Sequence, residues 1–403
     1  MDDSSKLLLQ ALSCALHGET VPWDAGRVNS WPQLHHLAVA HSVLPLIAQA
    51  LWGSPIAAAD PAPAMAFARH AKQLVTVQAQ RTGDFLLLCR ELQQRGLSPV
   101  VMKGIVCRSL YPFPEQRPSV DEDLLIAPDA YMAYHEAFLS LGFELMEKDI
   151  SLADEAEISY RHPETHLYIE LHKYPFPPDS EAYGDCNAPF ANALARAVPF
   201  SFLDTTLLTL SPTDHLLFLI CHAYKHFLHS GVGIRQLCDI GMFARHYDGE
   251  IDWPRVVSEC ASLRIEHMAA AMFRIAEQWL KLPMPDAFSG READEGPLLE
   301  DILSAGLYGT EDEDRLHSGT LTLDAVAAGK SGRKRRGLLA TLFPSAGTLS
   351  TRYPYLRKRP WLLPFAWLQR AAGYLRKPQV RAGASMRIGE ERIELLRQYQ
   401  VID

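Results

Sequence analysis

The chain has 403 residues, of which 48% are apolar and 22% charged, and this composition is that of a globular protein with a substantial buried core. Its formal net charge of −9 excludes a general nucleic-acid coat protein, because such proteins need a positive surface to displace counterions. The charge is unevenly placed. Residues 286–314 are acid-rich, whereas residues 330–403 hold sixteen Lys and Arg against four acids.

The cysteines and the N-terminus indicate the compartment. Seven scattered cysteines without a Cys-x-x-Cys pair argue against a disulfide framework and a zinc ribbon. The opening Met-Asp-Asp-Ser-Ser lacks the basic region of a signal peptide. No apolar run approaches the roughly 20 residues that span a bilayer. We therefore expect a cytoplasmic protein with no transmembrane segment and no stable binding to nucleic acid.

Residues 1–96 predict an N-terminal helical region. Leucines recur at helical spacing between Leu7 and Leu16, and a longer helical pattern runs from about residue 64 to Gly96, a suitable C-terminal cap. No residue pattern in this region indicates chemistry. Its expected role is to pack against the next part of the chain.

Residues 97–210 predict a second region, a core of strands and helices built on a β-sheet. Short apolar or alternating runs bounded by turn residues are typical of strands. The predicted strands are 99–102, 120–126, 143–146, 156–162 and 166–172, of which the last two form a hairpin. A helix is expected at about 129–141, and this alternation of strands and helices is typical of a sheet covered by helices on one side.

Helical periodicity returns after Pro212 and predicts a helical domain over 211–310, including a long helix at about 263–282. Residues 311–403 predict a basic extension rich in proline and aromatic residues. Its expected parts are a basic loop at 329–337, an irregular segment at 343–380 and a final helix at about 388–399. The segment 361–368 is expected to pack against the helical domain, with contact to a membrane surface as the alternative. The predicted fold class is α+β, with the sheet core flanked by helices.

Two aspartates carry the strongest chemical signal. Asp121 and Asp123 are two residues apart in a predicted strand, so their side chains project from one face, about 7 Å apart along the backbone. Such a pair heading an apolar strand is costly to bury without a cation. Glu170, on a separate strand, supplies a third carboxylate, and His172 on the same face is expected to orient a ligand or contact the nucleotide. Nucleotidyl and phosphoryl transfer both need carboxylates that hold two Mg²⁺ against a triphosphate, and Mn²⁺ is an alternative ion.

Two lysines are candidates for phosphate binding. Lys103-Gly104 follows the first strand and precedes a short helix, a place where backbone N–H groups approach phosphate and a lysine adds a point charge. Lys225 lies among His222, His226 and His229 at helical spacing, which predicts polar residues lining a cleft between sheet and helices. Arg235 and Asp239, four residues apart, are expected to form a structural pair.

Four segments resemble the bacterial nucleotidyltransferase-like proteins of the DNA polymerase beta superfamily. They are MKGIVCRSLYP at 102–112, Arg117, SVDEDLLI at 119–126 and IELH at 169–172. The resemblance implies a minimal mixed sheet flanked by helices, with Asp121, Asp123 and Glu170 as catalytic metal ligands. It further implies that Arg117, Lys103, Gly104, His172 and Lys225 contact the nucleotide or its phosphates, with ATP as the expected triphosphate.

The sequence departs from the family pattern at Glu122, where an aliphatic residue is expected. Either this face of the strand is open, or Glu122 pairs with a base such as Arg117, or the site is degenerate. Three functions therefore stay open. They are nucleotidyl transfer to a hydroxyl or phosphate acceptor, phosphoryl transfer to a peptide or protein, and a catalytically inactive nucleotide-binding scaffold. The acceptor, whether peptide, protein or small molecule, is not encoded by the fold.

Overall fold

The computed structural model describes residues 1–22, 28–146, 152, 154–306, 313–330, 346, 349, 353, 355–376 and 382–403. Helices occupy both ends of the chain and a mixed seven-stranded sheet occupies the middle, which confirms the α+β prediction. The basic run at 333–336 lies outside the described residues. The division into parts at 1–96, 97–210, 211–310 and 311–403 stays a prediction, since most buried apolar side chains from Leu7 to Ile402 form one continuous core.

The described residues of the N-terminal region form five helices, in agreement with the helical spacing of its leucines. They are α1 (Asp3–Leu16), α2 (Trp31–Ala40), α3 (Leu44–Leu51), α4 (Pro55–Ala59) and α5 (Pro61–Gln94). Asp2 caps α1 by accepting a hydrogen bond from the Ser5 N–H at 2.8 Å, which satisfies one of the amides left unpaired at a helix start. The long α5 covers the segment in which helical spacing was expected, and it ends just before Gly96.

The sheet has the strand order β3-β4-β5-β2-β1-β7-β6. Its strands are β1 (Val100–Met102), β2 (Asp121–Leu125), β3 (Glu144–Leu145), β4 (Glu157–Arg161), β5 (Tyr168–His172), β6 (Val198–Phe202) and β7 (Thr205–Thr209). β2 runs antiparallel to β1 and parallel to β5, so β2 and β5 lie side by side in the middle of the sheet. The hairpin of β4 and β5 is confirmed. The hairpin of β6 and β7 was not predicted, and it places β7 parallel to β1.

Two short helices accompany the strands: α6 (Gly104–Arg108) follows β1, and α7 (Tyr131–Ser140) follows β2. The helices after the sheet are α8 (Pro212–His229), α9 (Ile234–His246), α10 (Trp253–Ser262), α11 (Glu266–Leu280), α12 (Asp286–Ser289), α13 (Gly296–Ala305) and α14 (Glu313–Lys330). Three more complete the described chain: α15 (Tyr355–Lys358), α16 (Leu363–Arg376) and α17 (Ala382–Gln398).

The prediction of an irregular segment at 343–380 is wrong for α15 and α16. Two of its prolines stand at helix starts: Pro360 begins the single helical turn before α16, and Pro364 is the second residue of α16, a position where proline is tolerated. The final helix begins at Ala382, earlier than expected. Among the described residues, no helix combines the length and apolarity needed to cross a bilayer.

Candidate active site

Three carboxylates meet where β2 and β5 lie side by side. In the parallel register of these strands Asp123 is opposite Glu170, and Asp121 is opposite Tyr168. Asp123, Glu170 and His172 each place one possible ligand atom within 4.8 Å of those of the other two. Adjacent strands thus bring together residues that are far apart in sequence, because side chains two apart on each strand share a face.

Lys103 lies among these carboxylates. Its Nζ is 3.1 Å from Asp121 Oδ2, 3.0 Å from Asp123 Oδ2 and 3.3 Å from His222 Nε2. Burial alone would raise the pKa of Asp121, but the Lys103 ammonium outweighs it and holds that pKa well below its usual range. The single charge of the lysine therefore offsets part of the charge of the two aspartates, and its predicted contact with phosphate stays a prediction.

His172 lies between three carboxylates, those of Asp123, Glu170 and Glu157. Its Nε2 is 3.2 Å from Asp123 Oδ1 and 3.7 Å from Glu170 Oε2, and its Nδ1 is 3.6 Å from Glu157 Oε2. Burial lowers the pKa of His172, but Glu157 and then Asp123 and Glu170 raise it to about 10. At neutral pH the ring is therefore a cation that orients the acidic side chains around it.

Glu157 is a site residue that sequence reasoning missed. It begins β4 and pairs directly with His172 across the hairpin, and its Oε2 is also 3.8 Å from Lys225 Nζ. Burial raises the pKa of Glu157, yet the neighbouring His172 and Lys225 charges lower it below its usual value. The available signal was the predicted hairpin, because antiparallel pairing of its two strands sets residue 157 opposite residue 172.

Helix α8 lines the cleft with basic and imidazole side chains. His222 and His226 contact each other at 3.2 Å, and His229 Nε2 lies 3.0 Å from the Tyr183 hydroxyl. Burial, reinforced by Lys103 and Lys225, keeps the pKa of His222 and of His226 well below the usual histidine value. These rings are therefore neutral, and Lys103 and Lys225 are the cations that face the carboxylates from this side.

The turn at Lys103-Gly104 is held by protein groups. Both residues have positive φ, of 44° and 39°. The Lys103 N–H donates to His215 Nε2 at 3.0 Å, and the Ile105 N–H donates to Glu122 Oε2 at 3.1 Å. A Cβ on Gly104 would collide with the Glu122 carboxylate. This glycine thus makes room for Glu122 at the start of α6, and its predicted contact with phosphate stays a prediction.

Glu122 pairs with Arg108 on the buried face of β2. Both side chains are almost fully buried, and Arg108 also donates to the Ser119 hydroxyl. The proposed pairing of Glu122 with Arg117 is therefore wrong, because the α6 arginine lies closer. Glu122 occupies the face of the strand opposite Asp121 and Asp123, so its side chain lies away from the acidic cluster.

Arg117 connects the Lys103-Gly104 turn to Asp239 on α9. Its Nε and Nη2 each donate to the Asp239 carboxylate at 2.6 Å, and its Nη1 is 3.5 Å from the Gly104 carbonyl oxygen. The expected pairing of Arg235 with Asp239 is consequently wrong, since Arg235 donates to the Pro118 carbonyl. The structure ties Arg117 to α9, and its contact with a nucleotide stays a prediction.

The donor set fits a hard divalent cation. Asp123 Oδ2 is buried and makes no hydrogen bond of good geometry, although the Lys103 ammonium is only 3.0 Å away. Carboxylate oxygens are the ligands that Mg²⁺ and Mn²⁺ prefer, and the protonated His172 ring can orient these carboxylates but cannot itself be a ligand. A cation at these oxygens would compete with the Lys103 ammonium for Asp121 and Asp123.

This arrangement brings together carboxylates that could hold metal ions and a basic cleft wall, which are groups that enzymes use in transfer from a nucleotide. A family model described as an uncharacterised nucleotidyltransferase matches residues 28–281, and the chain belongs to that family. Membership supports a transferase with a general nucleotidyl-transfer activity. The match contains every site residue named above. No curated protein and no solved structure matches the chain.

Proposed function

We propose that this enzyme moves a nucleoside monophosphate from a nucleoside triphosphate, with ATP the first candidate, to a hydroxyl or phosphate acceptor. Asp121, Asp123 and Glu170 would hold two Mg²⁺, or Mn²⁺ in their place. The observation that supports this most is that Asp123, Glu170 and His172 place atoms within 4.8 Å of one another, while Asp121 and Asp123 both lie within 3.1 Å of the Lys103 ammonium.

The chain's own residues have distinct roles in this proposal. The divalent cations, when bound, would neutralise the triphosphate and hold the attacking and leaving oxygens in line. His172 fixes the orientation of Asp123 and Glu170 through contacts of 3.2 and 3.7 Å. Lys103, which contacts Asp121 and Asp123, and Lys225, which is 3.8 Å from Glu157, supply positive charge to the phosphates. The acceptor is a hydroxyl or phosphate on a peptide, a protein or a small molecule.

The position of a radioactive label tests the type of transfer. The protein is incubated with Mg²⁺ and ATP labelled on either the α or the γ phosphorus, with extracts of peptides, proteins and small molecules as acceptors. Nucleotidyl transfer places the α label on an acceptor and releases pyrophosphate. A γ label on the acceptor without the α label would instead establish phosphoryl transfer and refute the proposal.

Matched variants connect this activity to the site. Asp123→Asn and Glu170→Gln keep the side-chain shape and remove the charge, and we expect each to lower kcat by at least about 100-fold. Glu164→Gln, an exposed carboxylate on the turn of the β4–β5 hairpin, is the control and should keep wild-type activity. Full activity in Asp123→Asn would remove the acidic cluster from the mechanism.

A further inference from the structure

Helix α16 and the turn before it present a stripe of large apolar side chains to solvent. Trp361, Phe365 and Leu368 are 72%, 53% and 68% exposed. Their spacing of four and three residues places them along one side of the helix. This is the pattern of a surface that is covered by something else, because contiguous exposed apolar groups are rare on monomeric proteins.

The other side of α16 is already packed. Ala366 is buried with Leu349 and Leu356 in a small apolar cluster that is separate from the main core. The half-buried Leu362 and Leu363 pack against the same cluster. The helix therefore has its own intramolecular contacts, and the Trp361–Leu368 stripe is what remains after these contacts are made.

The stripe lies within the most basic part of the chain. Residues 325–389, here called the basic segment, contain fourteen Lys and Arg and no acid, although the whole chain carries a net charge of −9. Arg359, beside the stripe, is exposed. A positive segment of this kind is attracted to an anionic surface over the range of the Debye length.

We propose that the Trp361–Leu368 stripe docks the enzyme on an anionic lipid membrane, with Trp361, Phe365 and Leu368 inserted at the interface. A helix with Trp, Phe and Leu on one face and basic residues around it binds membranes by combining apolar burial with attraction to anionic lipids. Nucleic acid is the other polyanion, but base stacking would use the aromatic Trp361 and Phe365 and give the aliphatic Leu368 no stacking partner. A lipid interface accommodates all three side chains together.

Vesicle sedimentation with the full-length protein tests this docking. We expect binding to vesicles of phosphatidylcholine mixed with phosphatidylglycerol, little binding to phosphatidylcholine alone, and weaker binding as salt rises. The triple variant Trp361→Ser, Phe365→Ser, Leu368→Ser should lower the apparent affinity at least about tenfold. Trp52→Ser, Met65→Ser, Leu203→Ser is the matched control. It removes side chains that are 65%, 60% and 80% exposed elsewhere, and it should bind like the wild type.

A fluorescent probe reports insertion without depending on loss of binding. All seven native cysteines are buried, so a cysteine introduced by Leu368→Cys takes an environment-sensitive dye selectively. We expect its emission to shift to the blue on anionic vesicles, and the emission of the dye at Leu203→Cys to stay unchanged. Equal binding to neutral and anionic vesicles, or no blue shift at position 368, would overturn the proposal. Tighter binding to single-stranded RNA than to vesicles, lost in the triple variant, would also overturn it.

Discussion

Among single residues, Glu122 gives the clearest prediction for the free energy of unfolding. Its carboxylate is buried with the Arg108 guanidinium and accepts the Ile105 N–H, so its removal leaves a buried cation without a partner. Breaking a buried pair of this kind costs about 3–5 kcal/mol of unfolding free energy. We therefore expect Glu122→Ala to lower the free energy of unfolding in urea by about this amount.

The double variant Arg108→Met, Glu122→Leu is the control for this prediction. It removes both charges and fills the space with apolar atoms, which is often neutral for stability. Most of the loss in Glu122→Ala should therefore be recovered. If Glu122→Ala unfolds like the wild type, the pair is not buried as the structure has it.

The buried, neutral ring of His215 leads us to expect a loss of stability in acid. Its ring accepts the Lys103 N–H, lies 3.2 Å from the Thr209 hydroxyl and stacks on Phe243, and burial lowers its pKa to about 3 although the charge of Asp239 opposes this. In the unfolded chain a histidine takes up a proton near its ordinary pKa of 6.5. The unfolded state thus binds more protons between these values, and stability falls as pH drops from 6.5 towards 3.

A pH series of urea unfolding measures this effect. His215→Gln can still accept the Lys103 N–H but has no proton to gain, so its stability should decline less steeply with falling pH than that of the wild type. Other buried histidines contribute equally to both proteins. If the unfolding free energies of the two proteins fall in parallel with pH, His215 takes up its proton as readily in the folded state as in the unfolded state, which contradicts the lowered pKa.

The sequence predicts which side chains of one strand share a face, but it does not predict which residues of other elements they contact. The two-residue spacing of Asp121 and Asp123 alone predicts that they share a face. The partner of Glu122 depends on how α6 lies across β2, so Arg117 and Arg108 were equally plausible in sequence. The charge of Lys103 suggested a phosphate contact, whereas its position between the aspartates depends on the antiparallel pairing of β1 with β2.

At the scale of elements, α14 secures the end of α8 that lines the cleft. The Thr322 hydroxyl donates to the Leu228 carbonyl, and Arg315 Nε donates to the Ser230 carbonyl at 3.0 Å. These carbonyls are among those that a helix leaves unpaired at its C-terminus. Gly319 lets the two helices approach, because a Cβ there would collide with the His229 carbonyl oxygen.

We therefore expect Gly319→Ala to lower the free energy of unfolding by about 1–3 kcal/mol, the usual cost of overpacking. Gly83→Ala is the matched control, since Gly83 is also inside a helix but its added Cβ meets nothing within 4 Å. That change should stabilise the protein by up to about 1 kcal/mol through helix propensity. A stabilising Gly319→Ala in urea or thermal unfolding would show that the helices do not pack this closely.

Strong periodicity decided which elements the sequence predicted. The helical spacing of α5 and the alternation of apolar and polar residues in β5 each follow a single period, and β2 is marked by a short apolar run. The β6–β7 hairpin was missed because its strands mix apolar and polar residues and meet at Leu203-Asp204, which is not a typical hairpin turn. Helix α16 was missed because Pro360 and Pro364 suggested an irregular segment, although both precede or begin helical turns.

In the whole molecule, helices outside the family match pack on the helix that faces the acidic cluster. That match ends at residue 281, yet α14 and α17 contact each other extensively and α14 packs on α8. The residues after 281 therefore complete the wall that carries Lys225 and His229. The sequence alone did not indicate this, because a helix pattern shows that a face is buried without showing which element covers it.

Binding of a magnesium–triphosphate complex tests the central claim most directly, because it needs no acceptor. Thermal melting is measured with α,β-methylene-ATP, which does not transfer its nucleotide, in the presence and absence of Mg²⁺. A ligand that binds the native state raises its melting temperature by mass action. We predict a clear rise for the wild type and Glu164→Gln with Mg²⁺, a much smaller one without it, and none for Asp123→Asn. An equal rise without Mg²⁺, or in Asp123→Asn, would contradict a metal–triphosphate site at Asp121, Asp123 and Glu170.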